Sequence, residues 1–173
     1  MTHSAAIEVG LGFGSNQGDR IAQFRAAKKA VLALPGISLM AQSSLYETEP
    51  VGVKPEYQHM KFINSVLVVS VQMPLADFHQ RMLAVEAELG RKRTSDQFAP
   101  RPLDIDILFA GDLVSNEPGL RLPHPQCFKR RFVLAPLAEI NPARVLPSAG
   151  KNVQQLLESL AGEEQVVRLP DPW

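Results

Sequence analysis

Cysteine is almost missing. One residue, Cys127, stands in a chain of 173, which excludes an internal disulfide framework and a cysteine-built zinc site and suits a reducing cytosol. An excess of one charge is missing too, because 18 basic residues balance 18 acidic ones. With no net field, nothing draws the chain as a whole to nucleic acid or to an anionic membrane. No apolar run approaches the ~20 residues that span a bilayer. Met1 to Ala6 carries neither the basic flank nor the apolar run of a secretion signal. Repeats, low-complexity tracts and inter-domain linkers are also absent. The expectation is a cytoplasmic protein, free of nucleic acid and membrane, folding as one domain over 1–173 and acting as a monomer.

What is present is the ordinary balance of a protein with a real core, 45 % hydrophobic and 21 % charged residues. Fourteen prolines, many for this length, gather between the regular segments. Period-two alternation of Ile7, Val9, Leu11 and Phe13 predicts a strand that runs into a turn from Gly12 to Asp19. Asp19 to Leu34 predicts a helix stopped by Pro35-Gly36. A strand over Ile37 to Glu47 follows, then an irregular stretch from Thr48 to Lys61 and a Val/Ile-rich strand from Phe62 to Gln72. Pro74 opens the clearest helix. Its apolar positions Leu75, Phe78, Met82, Val85 and Leu89 fall three and four apart, and Gly90 ends it. A polar loop, Arg91 to Arg101, leads to a strand over Leu103 to Ala110, and Gly111-Asp112 predicts a hairpin turn into Leu113-Val114. Short helices around Phe132 to Glu139 and Val153 to Leu160 and an apolar stretch Val166 to Leu169 complete the chain. Strand-helix-strand twice over is the order of a ferredoxin-like α+β sandwich, an antiparallel sheet with its helices on one face.

The chemistry concentrates in Phe98 to Leu108. Leu103, Ile105 and Ile107 alternate with Asp104 and Asp106, so both carboxylates leave one face of a strand with Cα atoms roughly 6.5–7 Å apart. Neighbouring anions on a strand repel and aspartate is disfavoured there. One reading is a solvated acidic face; the other is a site for one or two hard cations shared with phosphate oxygens. The preceding loop carries Arg91, Lys92, Arg93 and Arg101 against the single acid Asp96. Guanidinium forks neutralise phosphate oxygens that a cation leaves free, which favours the second reading. Arg121, His124, Lys129, Arg130 and Arg131 add a further basic cluster, with His124 held between Pro123 and Pro125. No P-loop is present, and Gly10, Gly12 and Gly14 have the wrong spacing for a dinucleotide fingerprint. On the residues alone, nucleotidyl transfer on a palm-like fold and a non-catalytic RNA-binding module remain as alternatives.

The segment Phe98-Ala99-Pro100-Arg101-Pro102-Leu103-Asp104-Ile105-Asp106-Ile107-Leu108 closely resembles the signature of the 6-hydroxymethyl-7,8-dihydropterin pyrophosphokinases, also called 2-amino-4-hydroxy-6-hydroxymethyldihydropteridine diphosphokinases. The resemblance covers most of the chain through Gly14 to Asp19, Tyr46 to Gly52, Phe62-Ile63-Asn64, Glu86 to Arg93, Pro123-His124-Pro125 and Arg130 to Leu137. It implies a transferase of folate biosynthesis that moves diphosphate from ATP to the pterin's hydroxymethyl oxygen and releases AMP, with two Mg2+ ions. It further implies that Asp104 and Asp106 bind the metal and, with Arg93 and Arg101, form the catalytic set. Glu86, Arg91, Arg93, Arg101, His124 and Arg130 would bind ATP. Thr48, Glu49, Pro50, Val51, Asn64, Phe98 and Phe132 would bind the pterin. The stretch 48–64 is about three residues longer than the family pattern, with Gln58-His59-Met60-Lys61 added, so a differently shaped pterin loop is expected. Gln17, Gln97, Phe98 and Ala99 also depart from the usual residues, and Ala99 in place of glycine is expected to stiffen its loop.

Overall fold

A computed structural model describes residues 5–50, 52–92, 94–96, 99–162 and 164–173. Its centre is an antiparallel sheet built from β1 (Ile7–Ser15), β2 (Ile37–Gln42), β3 (Tyr46–Thr48), β4 (Phe62–Val71), β5 (Asp104–Ala110) and β8 (Val166–Arg168). Strands β1 and β4 pair along their whole lengths, β5 flanks β1, and β2 and β3 share the other side of β4, with β8 outermost on β3. The small hairpin β6 (Ser115–Glu117) and β7 (Leu120–Leu122) stands apart from this sheet.

Helix α1 (Arg20–Leu32) begins where the Asp19 side chain accepts the Ala22 N–H at 3.0 Å. It buries Phe24, Ala27 and Val31. Helix α2 (Leu75–Glu88) buries Phe78, Met82 and Val85 on the same side of the sheet, against Val9, Leu11, Phe13, Ile105 and Ile107. These are the two helices expected of a ferredoxin-like sandwich, and the α+β class holds. The expectation that all helices share one face does not hold. Helices α3 (Arg131–Ile140) and α4 (Val153–Glu158) cover a second core made by Val66, Val68, Leu108, Phe109 and Cys127 on the opposite face. A register shift in the β1–β5 pairing near Gly10 and Leu11 explains how β5 serves both cores. Up to Ile107 the strand alternates, with Ile105 and Ile107 toward the first core; beyond it, Leu108 and Phe109 both enter the second.

The strand expected over Ile37 to Glu47 is broken at Ser43–Leu45. There the Ser43 hydroxyl accepts the Val66 N–H, and the Trp173 indole donates to the Ser43 carbonyl at 2.9 Å. Gly111 and Asp112 form a turn, but Leu113 and Val114 stay outside any strand; the hairpin lies two residues further on. Among the described residues, no helix is long and apolar enough to cross a membrane.

Candidate active site

The face of the sheet that α3 and α4 leave uncovered is the floor of a cleft of about 550 Å³. Gly12 and Gly14 of β1, a glycine stripe whose spacing is not that of a nucleotide fingerprint, supply the floor itself. A Cβ at Gly12 would meet the Leu108 side chain at 3.1 Å, and one at Gly14 would meet Asn64 Oδ1 at 3.2 Å. The stripe keeps the floor flat where side chains from both neighbouring strands lean over it.

The acidic end lies on β5. Asp104 and Asp106 both face the cleft, as the alternation predicted, while Leu103, Ile105 and Ile107 are buried. Asp104 accepts from Arg91 through Oδ1 and sits 3.4 Å from Arg101 through Oδ2. Asp106 keeps 46 % of its side-chain surface toward the cavity, 4.0 Å from His124 Nε2. Protein surrounds it on the other sides. This burial first, then the charges of Asp104 and Glu86, push its carboxyl above the ordinary carboxylate range, against the pull of Arg91 and Arg101.

His124 is held by its neighbours as the proline pair suggested. Its Nδ1 accepts the Gln126 N–H at 3.1 Å, which leaves Nε2 as the protonated nitrogen facing Asp106. Burial lowers its pKa, opposed by Asp104, so the ring is neutral. Arg130 also reaches the cleft, stacked 4.8 Å above Phe132 and paired with Glu164 at 3.0 Å. Arg121 and Lys129 are exposed and, with Arg131, are not part of the cleft wall.

Glu86 lies behind the acids rather than on the cleft wall. It is 2 % exposed and accepts the Ile105 N–H at 2.7 Å and Arg91 Nη1 at 3.0 Å. It thereby ties the last turn of α2 to β5, next to Asp104.

The other end of the cleft is less charged. Asn64 Nδ2 donates to Thr48 Oγ1 at 2.7 Å, so β4 and β3 present a joined polar edge. Phe132 flanks it, and so does Phe62, which the sequence reading passed over although β4 alternation puts it on the same face as Asn64. Arg101 stands 5.9 Å from the Phe62 ring and so touches both ends of the cleft. Glu49 lines the wall and pairs with Lys61 at 3.1 Å; Pro50 does not line it. Val51, Arg93 and Phe98, three of the predicted site residues, and Gln97 lie outside the described residues. The 48–64 stretch includes a one-turn helix, Pro55–Tyr57, and its end is pinned by Arg20, which donates to the Lys61 carbonyl and pairs with Glu47, both at 3.0 Å. Lys54 reaches across to Asp96 at 2.7 Å, joining this stretch to the arginine-rich loop.

Fold and cleft together define a class: a ferredoxin-like α+β protein whose edge strand sets paired acids against arginines, an arrangement suited to phosphoryl transfer. Solved structures share the fold. The wild-type HPPK-DHPS of Plasmodium falciparum with pteroate superposes with a TM-score of 0.69 at 13 % identity, over 91 % of this chain and 45 % of that one. This chain thus spans under half of that protein's length.

The chain belongs to the 7,8-dihydro-6-hydroxymethylpterin-pyrophosphokinase family, whose model matches residues 10–142. Relatives named 2-amino-4-hydroxy-6-hydroxymethyldihydropteridine pyrophosphokinase include one from Methylorubrum extorquens, 38 % identical over 90 % of this chain and 96 % of its own length. Another, from Pseudomonas aeruginosa, is 35 % identical over 92 % of this chain and 95 % of its own. One from Synechocystis is 35 % identical over 87 % of this chain and 74 % of its own.

Proposed function

We infer that this chain transfers diphosphate from ATP to the hydroxymethyl oxygen of 6-hydroxymethyl-7,8-dihydropterin, a step of folate biosynthesis, and releases AMP. The observation that carries this reading is one cleft with two chemically different ends joined by Arg101. At one end, Asp104, Asp106, His124, Arg91 and Arg130 suit a triphosphate. At the other, the Thr48–Asn64 pair offers an amide edge and Phe62 and Phe132 offer ring faces, which suit a flat, hydrogen-bonding heterocycle.

Among the described residues no three His, Cys, Asp or Glu side chains gather as a protein-only metal cage. Magnesium does not need one. It takes one or two carboxylates, keeps several waters and completes its shell with substrate phosphates. Asp104 and Asp106, side by side on one strand face and both lining the cleft, fit that requirement. Magnesium held there would neutralise the triphosphate and polarise its β-phosphorus.

The residues of the chain then have distinct tasks. Thr48 and Asn64 orient the pterin so that its hydroxymethyl group points along the floor toward β5. Its oxygen bonds to the β-phosphorus as the bond from that phosphorus to the α-bridging oxygen breaks; the hydroxyl proton passes to water, and AMP leaves with the electron pair of the broken bond. Arg101, placed between the ends, neutralises charge on the moving group, while His124 donates from Nε2 and Arg130 grips from the opposite wall. Arg93, Val51 and Phe98 belong to this proposal by family resemblance. A single domain over 1–173 is supported by one sheet that draws strands from Ile7 to Arg168.

Product analysis tests the assignment. AMP is expected only when ATP, magnesium and the hydroxymethyl pterin are all present; ATP consumption that yields pyrophosphate instead would point to nucleotidyl transfer. Asp104→Asn and Asp106→Asn are each expected to lower turnover at least about 100-fold with the circular dichroism spectrum unchanged. Folded variants of both that keep normal turnover contradict the metal assignment.

A further inference from the structure

Helix α2 ends in a way that aims one side chain at β5. Leu89 caps the C-terminal end of the helix, Gly90 turns left-handed at φ +95°, and the Arg91 N–H returns to the Glu86 carbonyl at 3.0 Å. Arg91 therefore leaves the helix end at a fixed angle. Its Nη1 donates both to Glu86 Oε1, at 3.0 Å, and to Asp104 Oδ1. The side chain is only 14 % exposed, and Glu86 is held from behind by the Ile105 N–H.

Asp104 thus has an arginine of the chain itself as a bonded partner. Without Arg91, Glu86, Asp104 and Asp106 would stand together with one guanidinium fewer, Arg101 remaining 3.4 Å from Asp104. A guanidinium cannot lose its charge to solve this, so it must be displaced or satisfied elsewhere before Asp104 turns to another cation. Phosphate oxygens are the partners that a guanidinium fork accepts in place of a carboxylate. Arg91 and Asp104 line the same cleft, so an entering polyphosphate meets the guanidinium at the point where it holds the acid.

We propose that Arg91 is a resident counter-ion which withholds Asp104 from free divalent cations and yields it when a polyphosphate enters, so that cation and nucleotide binding are coupled through this side chain. The proposal rests on the metal reading given above. It differs from a structural role for Arg91 in one respect: a brace between α2 and β5 would leave the affinity for a bare cation no weaker than the acids alone would have it. Coupling of this kind is reciprocal, so the cation would tighten nucleotide binding by the same factor.

Manganese in place of magnesium gives a direct readout, because the free aqueous ion is seen by electron paramagnetic resonance and the bound ion is not. The full chain is titrated with Mn2+, alone and with the α,β-methylene analogue of ATP, whose α–β linkage cannot be broken, and the Mn2+ that the analogue chelates by itself is measured without protein and subtracted. The wild-type chain is expected to bind Mn2+ at least about tenfold more tightly with the analogue than without it. Arg91→Met is expected to bind Mn2+ alone at least about tenfold more tightly than the wild type, and to lose most of the gain that the analogue brings. An Arg91→Met chain that binds bare Mn2+ no more tightly than the wild type overturns the proposal. Arg91→Lys guards against loss of folding in the methionine variant. Lysine keeps the charge but cannot bridge Glu86 and Asp104 with a planar fork, so a smaller tightening is expected, and none would also overturn the proposal. A wild-type chain that ignores Mn2+ even with the analogue sinks the metal reading itself. Wild-type binding with the analogue, beside an unaltered Arg91→Met, removes only the role of Arg91.

Discussion

Asp104 and Asp106 were legible because strand alternation is a strong signal and charged residues interrupting it are rare. What surrounds them was not. Glu86 stands on helix α2, and its contacts with Arg91 and Ile105 depend on how the helix end meets the sheet, which no periodicity encodes. The glycines of β1 were noticed and discounted as a motif, yet their purpose, room for Leu108 and Asn64 side chains over a flat floor, exists only once strands are paired. The carboxylate of Glu139 belongs with these hidden contacts: it accepts from the Ser44 N–H and hydroxyl and from the Tyr46 hydroxyl, at 2.7–3.1 Å, fixing the start of β3. Burial, together with that bond to Glu139, pushes the Tyr46 phenol up to about 12. The neutral phenol is therefore favoured in the fold. Its contribution to stability is complete below the ordinary tyrosine range and is lost as pH rises toward about 12. A spectrophotometric titration of the native chain is expected to show one late tyrosine, and Tyr46→Phe is expected to remove that step. A native titration in which no tyrosine is delayed contradicts the contact.

At the scale of elements, helix α2 was read almost to the residue, because its apolar spacing and Gly90 stop agree. The stop does more than end the helix. Gly90 at φ +95° lets Arg91 turn back to the Glu86 carbonyl and places its guanidinium beside Asp104. Gly90→Ala forces an L side chain into the left-handed region, at about 1–2 kcal/mol. It is expected to lower stability by that amount in urea unfolding and to reduce turnover by misplacing Arg91, with helix content unchanged. Normal turnover in this variant would separate the helix end from the chemistry. The strand over Ile37 to Glu47 was read as continuous because its residues suit a strand throughout; the break at Ser43–Leu45 comes from hydroxyl bonds to β4 and from a distant segment of the chain. The short helices near 132 and 153 were placed correctly, but their position on the second face required the β5 register shift, which is invisible before pairing.

Taken whole, the molecule is a sheet with a core on each face and a cleft where the second face lies open. The first core is closed by a residue from far along the chain. Trp173, 9 % exposed, packs on Phe13 and Phe24 with ring centroids 5.7 and 5.5 Å away, and Lys28 lies 5.0 Å over its ring. Because Phe13 sits between Gly12 and Gly14, this contact supports the cleft floor from beneath. Trp173→Ala is expected to cost about 3–5 kcal/mol, measured by urea unfolding; a loss well below this range would mean that the tail is not part of the core. The order of strands and helices, and so the fold class, followed from the sequence; this long-range closure did not, since a lone tryptophan beyond Pro170 and Pro172 carries no pattern.

In the family's reaction both terminal phosphates of ATP move together to a pterin oxygen. Phosphorus NMR of a reaction containing the chain, magnesium, ATP and 6-hydroxymethyl-7,8-dihydropterin follows every phosphorus at once. The three ATP resonances are expected to give way to a single AMP resonance and two mutually coupled resonances of a diphosphate ester on the pterin. Accumulation of ADP with a pterin monophosphate, or of free pyrophosphate with the nucleotide attached elsewhere, would contradict it.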